Sequence, residues 1–172
     1  MPLVRLVTYP GPVLRKRARP IKEVGGKLIE TADTMFEIMY ENSGIGLAGP
    51  QIGLSKRLLV LDIRQDGLPN YVMINPRIAR REGSVDAEEG CLSLPDVFGD
   101  INRAEWVEVA YIDRDGEEQT LEAEGLLART IQHEIDHLNG VLFIDRLDKA
   151  QRRGVEQALC ELSDTAKEKD TS

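Results

Sequence analysis

The chain has 172 residues, of which 41% are hydrophobic and 30% charged. That balance fits one soluble globular domain, long enough to bury a core without disulfides, and excludes a wholly disordered chain. Thirty Asp and Glu against 22 Lys and Arg give a net charge of −8, which argues against a general DNA binder or a protein held on anionic membranes, because phosphates repel it.

No apolar run approaches the ~20 residues of a membrane span. Residues 1–10 hold one Arg and no apolar segment long enough for a signal peptide, so a cytoplasmic protein is expected. Residues 27–40 predict an amphipathic helix, with Ile29, Ala32, Phe36 and Met39 at three- and four-residue spacing and Asn42-Ser43-Gly44 as its stop. The apolar runs 57–63 and 71–74 suit strands. Residues 106–112 alternate, with Val107, Val109 and Tyr111 on one side, and Asp113-Arg114-Asp115-Gly116 turns the chain into a returning strand at 119–123. A second helix spans 125–138 and ends at Asn139-Gly140. Leu127, Ile131 and Leu138 form one stripe; Leu126, Thr130, His133 and His137 form the next; Arg129, Gln132 and Asp136 form a polar side. A third helix runs from about 148 to 166, burying Val155, Ala158, Leu159 and Leu162, and the tail 167–172 is expected to fray. Neighbouring strands pair locally with no strand–helix alternation, so the fold class is α+β, with antiparallel sheets packed around a central helix.

That central helix reads His133-Glu134-Ile135-Asp136-His137, and these are the only two histidines in the chain. Four helical residues advance about 400°, so the two imidazoles differ by about 40° in direction and one turn in height. Both rings can reach one metal ion, and Glu134, about 100° round from His133, can reach a water on that ion without ligating it. This is the pattern of a metal-activated hydrolase. A third ligand is needed. Glu156 and Glu161, 19 and 24 residues after His137, offer downstream carboxylates. Cys91 offers a thiolate from upstream, in Glu88-Glu89-Gly90-Cys91-Leu92-Ser93-Leu94-Pro95. There Gly90 permits a bend and Pro95 interrupts pairing, so Cys91 falls at a constrained turn or strand end. A thiolate suits a borderline divalent ion; the plain alternative is a small buried hydrophobe, which is also the reading for Cys160.

Residues 44–53 hold four glycines. No Lys-Ser/Thr pair follows and no GxGxxG is present, so this is not a phosphate loop. It reads either as a helix-to-strand connection or as exposed backbone able to pair with an extended peptide, with Gln51 as an amide donor.

Together, Gly44-Ile45-Gly46-Leu47-Ala48-Gly49-Pro50-Gln51, Glu89-Gly90-Cys91-Leu92-Ser93 and Gln132-His133-Glu134-Ile135-Asp136-His137-Leu138 resemble the three ordered motifs of the peptide deformylase family. The resemblance runs from about residue 5 to residue 148. It implies removal of the formyl group from the N-terminal formyl-methionine of nascent chains. It implies that Cys91, His133 and His137 hold one divalent ion, with water as fourth ligand; Fe2+ is the family's usual ion, and Zn2+, Ni2+ or Co2+ also occupy such sites. Glu134 would move the proton, while the Gln51 side-chain amide and the Leu92 N–H would stabilise the oxyanion. Substrate would lie along Gly44, Ile45 and Gly46. Ile45, Leu126 and the His133 ring would line a methionine pocket, with Glu89, Thr130 and Arg129 nearby and the Arg129 charge facing water over its apolar stem.

Two departures stand out. Gly49 replaces the family's frequent Ala, which is expected to loosen the loop. The last helix, which in some members meets the ribosome near the exit tunnel, carries Lys149, Arg152 and Arg153 followed by Glu156, Glu161 and Asp164; a solvated face explains that pattern, and ribosome docking is the secondary expectation. Two other functions compete: an HExxH metalloprotease with a downstream Glu ligand, and a non-enzymatic binder of formylated chains, which the intact Glu134 argues against.

Overall fold

A computed structural model describes residues 4–170. Residues 1–3 of the expected leaderless N-terminus and residues 171–172 of the expected tail lie outside that range.

The first helix, α1, spans Gly26–Glu41. Strand β1 (Gly46–Ala48) and a 3-10 turn (Gly49–Ile52) follow, then β2 (Leu58–Leu61) and β3 (Tyr71–Glu82). A hairpin of β4 (Val85–Cys91) and β5 (Leu94–Arg103) precedes β6 (Trp106–Ile112), β7 (Glu118–Glu124) and the central helix α2 (Gly125–Leu138). The chain closes with a 3-10 turn (Phe143–Arg146) and helix α3 (Lys149–Asp170). The strands form an antiparallel five-stranded sheet in the order β1-β2-β3-β6-β7 and a separate two-stranded sheet, β4-β5. This is an α+β fold.

The sheet is buried on both faces where it carries the site. Side chains alternate across a strand, so Leu58 and Val60 of β2 pack with α1 residues Met35, Phe36 and Met39, while Leu59 and Leu61 pack with α2 residues Leu127, Ile131 and Leu138. A strand buried on both sides reads as a continuous apolar run, as β2 does. A third core holds Leu94, Val97 and Ile101 of β5 against Leu142, Phe143, Ile144 and Leu159.

The differences from expectation have physical causes. Strand β3 continues eight residues past Ile74, through Asn75-Pro76, because register shifts between Ile74 and Arg77 and again between Ile78 and Arg80 absorb a proline that has no N–H to donate. Pro95 likewise sits inside β5, one residue from its start, rather than ending regular pairing. The hairpin β4–β5 shows no alternating apolar pattern: β4 is acidic and mostly exposed, and the buried residues of β5 recur irregularly. Residues 167–170 of the expected frayed tail are helical. Cys160 is exposed rather than buried. Gly49 does not loosen its loop: a Cβ there would lie 2.7 Å from the Leu54 carbonyl oxygen and 2.8 Å from that of Lys56, so the bare backbone permits a tight approach of the 54–56 segment.

Candidate metal centre and peptide cleft

Helix α2 is surrounded on all sides. Every residue from Leu127 to Leu138 is buried, so its polar residues must find partners inside the protein. The register of the helix places His133 and His137 one above the other, with ring centroids 5.0 Å apart. Cys91 arrives from the end of β4, where the register shifts between Glu89 and Cys91 at Gly90. A Cβ on Gly90 would meet the Phe98 ring at 2.7 Å, so glycine lets that ring lie over the bend. The bend aims Cys91 Sγ at α2, 3.3 Å from His137 Nε2.

The ligand atoms of Cys91, His133 and His137 all lie within 4.8 Å of one another, and no other such group of three occurs among the described residues. Glu156 and Glu161, the rival downstream ligands, are exposed on α3. Among the described residues, two buried side-chain polar atoms lack a partner: Glu134 Oε2 and His137 Nδ1. Unpaired buried polar atoms are costly in a finished core. An orphaned carboxylate oxygen beside one sulfur and two imidazole donors fits a site built around an ion and its water, and this donor set suits a borderline divalent metal.

Glu89 organises the ligands from behind. Its Oε1 lies 2.8 Å from His133 Nδ1 and accepts from Arg103 at 2.9 Å; Oε2 accepts from Arg103 Nε at 2.9 Å and from Arg129 at 2.6 Å. The expectation that Glu89 contacts substrate therefore meets a carboxylate whose two oxygens are both engaged, although the residue borders the cleft. Arg103 continues to Asp136 Oδ2 at 2.6 Å, and Arg146 grips both Asp136 oxygens at 2.6 and 2.8 Å. The expected outward charge of Arg129 is corrected: its guanidinium is buried, donating to Glu89 and to the carbonyls of Ile101 and Val85. The whole expected polar side of α2, Arg129, Gln132 and Asp136, is likewise interior. Spacing shows a polar face but not the arginine of β5 that meets it.

These contacts set the electrostatics. Burial works against ionisation of Glu89, but hydrogen bonds from Arg103 and His133 overrule it and hold the carboxyl well below its usual range. Burial pushes Glu134 up to about 7, with His133 and Arg103 pulling the other way. Burial, reinforced by the charge of His133, holds His137 well below the ordinary imidazole value. For His133, Cys91 and Glu89 outweigh burial and raise it. The centre therefore keeps the His137 ring uncharged and its lone pair available, and it keeps a carboxyl poised near neutrality beside it.

A cleft of about 750 Å³ opens onto this centre. Gly44, Ile45, Gly46, Gln51, Leu92, Leu126, Arg129 and Thr130 all border it, as do Cys91, His133 and Glu134. Gln51 is clamped: Oε1 accepts from the Ala48 N–H at 2.8 Å, which turns Nε2 toward Ser93 Oγ at 3.2 Å and Cys91 Sγ at 3.6 Å. Ser93 in turn donates to the Val7 carbonyl at 2.7 Å. Leu92 and Ser93 form the tight turn after Cys91. Leu126 is 51% exposed and sits at the rim rather than in a closed stripe, while the Thr130 hydroxyl is tied to its carbonyl. Segment 44–53 is both things its glycines suggested, a helix-to-strand connection and an edge strand, since β1 pairs only with β2. Phe98, 56% exposed at the same rim, was missed; nothing in its local sequence distinguishes it from a core residue of β5.

The family model described as "Polypeptide deformylase" matches residues 3–153. A peptide deformylase of Rhizobium meliloti is 49% identical over 156 residues, covering 88% of this chain and 89% of that protein. The solved peptide deformylase of Thermus thermophilus superposes with a TM-score of 0.88 at 43% identity, covering 95% of this chain and 99% of that one. That of Synechococcus elongatus, solved in complex with actinonin, gives a TM-score of 0.84 at 43% identity, covering 96% and 89%. Agreement in sequence and backbone over most of its length makes this chain a member of the polypeptide deformylase family.

Proposed function

We propose that a single catalytic domain hydrolyses the N-terminal formamide of formyl-methionyl nascent chains, giving formate and a free amine. The observation that carries this reading is the buried, partnerless Oε2 of Glu134 set beside the Cys91, His133 and His137 donors at the floor of an open cleft. Cys91, His133 and His137 would hold a divalent ion, which when bound would supply Lewis-acid polarisation and a water of lowered pKa. Glu134 takes the proton of the attacking water and delivers it to the leaving nitrogen, a role that suits a carboxyl poised near 7. The clamped Gln51 amide and the Leu92 N–H face the developing oxyanion as preorganised donors. Glu89, Arg103 and Arg129 fix the tilt of the His133 ring. The peptide lies along the free edge of β1, beside Gly44, Ile45 and Gly46, and the methionine side chain fills the pocket between Ile45, the His133 ring and Leu126 at the rim, with Thr130 and the Arg129 stem nearby.

Fe2+ is the proposed resident ion; one sulfur and two nitrogens also accept Zn2+, Ni2+ or Co2+. The chain acts in the cytoplasm on newly made polypeptides. Ribosome docking through α3 has the support of two exposed cations, Lys149 and Arg153, the latter turned back onto the Lys149 carbonyl. The deciding experiment is formate release from a formyl-methionyl peptide by iron-loaded protein in the absence of oxygen, alongside Glu134→Ala. Turnover should fall roughly 10²- to 10⁴-fold in the variant with bound metal retained. Equal, negligible rates in both proteins would instead indicate a binder of formylated chains. Metal lost from Glu156→Ala or Glu161→Ala but kept by Cys91→Asp would indicate the protease-type ligand set.

A further inference from the structure

Arg64 lies three residues beyond the end of β2 and adopts a backbone φ of 55°. The left-handed region is disfavoured for a side chain of this size, and such a conformation persists only where the surroundings over-determine it. Here they do. The Arg64 N–H donates to Asp62 Oδ1 at 2.8 Å, and the Tyr40 hydroxyl donates to Oδ2 of the same carboxylate at 2.6 Å. The guanidinium sits over the Tyr40 ring, 5.4 Å from its centroid, and donates from one terminal nitrogen to the Gly44 carbonyl at 3.0 Å. Two side chains, Tyr40 on α1 and Asp62 just past β2, thus fold an arginine back onto the start of the edge along which the peptide would lie.

That edge needs an external brace. Ser43, just before it, has φ of 56°, and Gly44 is free in its backbone torsions. A Cβ on Gly44 would press on the Leu92 side chain at 2.7 Å and on Met39 at 3.3 Å, so glycine and its torsional freedom stay at this position. Hydrogen bonds hold it. The Gly44 N–H donates to the Met39 carbonyl at 2.8 Å, the Asp62 N–H donates to the Ile45 carbonyl at 2.9 Å, and Arg64 secures the group between, the Gly44 carbonyl. With that contact the segment from the end of α1 to β1 is held at successive peptide groups.

We propose that Arg64 is a positioning residue for the substrate: resting on the reading of Gly44, Ile45 and Gly46 as the peptide-binding edge, it holds that edge in its paired geometry before an extended formylated peptide arrives. Preorganisation of this kind lowers the ordering cost of binding. Arg64 touches none of the groups that move protons or hold the ion, so its effect falls on KM and not on kcat.

The test compares wild type, Arg64→Gly and Arg64→Lys in steady-state formate release from a formyl-methionyl tripeptide, with melting temperatures of the same metal-loaded proteins. Arg64→Gly removes the guanidinium and also relieves the left-handed conformation, so it folds at least as well as wild type. Its KM should rise about three- to tenfold, the range expected for one partly exposed hydrogen bond from a charged donor, with kcat within about twofold. Arg64→Lys keeps a charged donor and should recover part of that KM. An unchanged KM in Arg64→Gly, or a parallel loss of kcat and melting temperature, overturns the proposal. A formyl-methionyl tripeptide N-methylated at a backbone amide probes the edge separately: if its KM on wild type equals that of the parent peptide, the reading of the edge itself has failed; if its KM is raised while that of Arg64→Gly is not, only the brace has failed.

Discussion

Gly46→Ala probes the closest approach between strand and helix in the site. A Cβ on Gly46 would stand 2.7 Å from Glu134 Oε1, 3.0 Å from Glu134 Cγ and 3.0 Å from Thr130 Cγ2. Ordinary carbon contacts begin near 3.4 Å, so the overlap is about 0.7 Å at the carboxylate and about 0.4 Å at the methyl. Thr130 is held in place by its bond to the Leu126 carbonyl, and α2 is buried from Leu127 to Leu138, so the group that gives way is the Glu134 side chain. Overpacking of this size costs about 1–3 kcal/mol, or on the order of 2–10 °C in melting temperature for a domain of this length. The catalytic cost is larger. A catalytic group displaced by about 1 Å loses on the order of 10²-fold in turnover. None of the three metal donors lies among the atoms overlapped, so bound metal should remain at one ion per chain. Formate release under saturating formyl-methionyl peptide, metal analysis and a thermal melt on one preparation read all three quantities. Turnover within twofold of wild type would refute the claim that Glu134 must occupy its present position, and loss of the ion would show that the effect runs through the ligands instead.

Two further outcomes follow from the buried ion pairs. Arg103→Met leaves Glu89 and Asp136 each short of one guanidinium in the interior; the expected loss is about 3–5 kcal/mol, with metal affinity down roughly 10- to 100-fold as the His133 ring loosens, measured by thermal melts and chelator competition, and a melting temperature within about 2 °C of wild type would refute it. Glu89→Gln is less stable than wild type at pH 7, and the gap closes with acid. The folded-state pKa of Glu89 is depressed because the bonds from Arg103 and His133 overcome burial. Its contribution is therefore full above the unfolded value of about 4.3 and is lost as pH falls below it, at no more than about 1.4 kcal/mol per pH unit for one proton. Denaturant unfolding at pH 7, 5, 4 and 3 measures the gap, and one that stays constant or widens toward pH 3 would contradict the assignment.

The parts of the molecule legible in the sequence are those where one element decides. Helix α2 appears with its observed bounds, and so does β6, because each carries its own periodicity. The metal donors on α2 follow from helical geometry alone, whereas Cys91 needed the order of three motifs to single it out from the downstream carboxylates. Strands β4 and β5 were not legible: their pairing is specified across the hairpin and by the third core, and a polar strand such as β4 has no local apolar alternation to show. The same holds for Arg64, whose conformation depends on Tyr40 and Asp62. Arg103 is the clearest case. On β5 it is one charge among several, and only the folded chain brings it between Glu89, two residues from Cys91, and Asp136, one residue from His137.

That placement explains why so many charges are buried in a protein of this size. Replacing a fully paired buried cluster with apolar groups of similar volume is often neutral or stabilising, so stability alone gives no reason to keep Arg103, Arg129, Glu89 and Asp136 inside. Their connectivity does. Glu89 joins the strand that delivers the thiol to the ring of His133, and Asp136 joins the helix that carries both histidines to the 3-10 turn bearing Arg146. Arg103 spans the two carboxylates. The cysteine and the histidines lie more than 40 residues apart in the chain, on a hairpin and a helix that pack into different cores, and apolar packing leaves neighbours free to slide by fractions of an ångström. Charge-assisted hydrogen bonds with fixed angles do not. The cluster converts loose contact between a hairpin and a helix into the sub-ångström register that a shared ion requires.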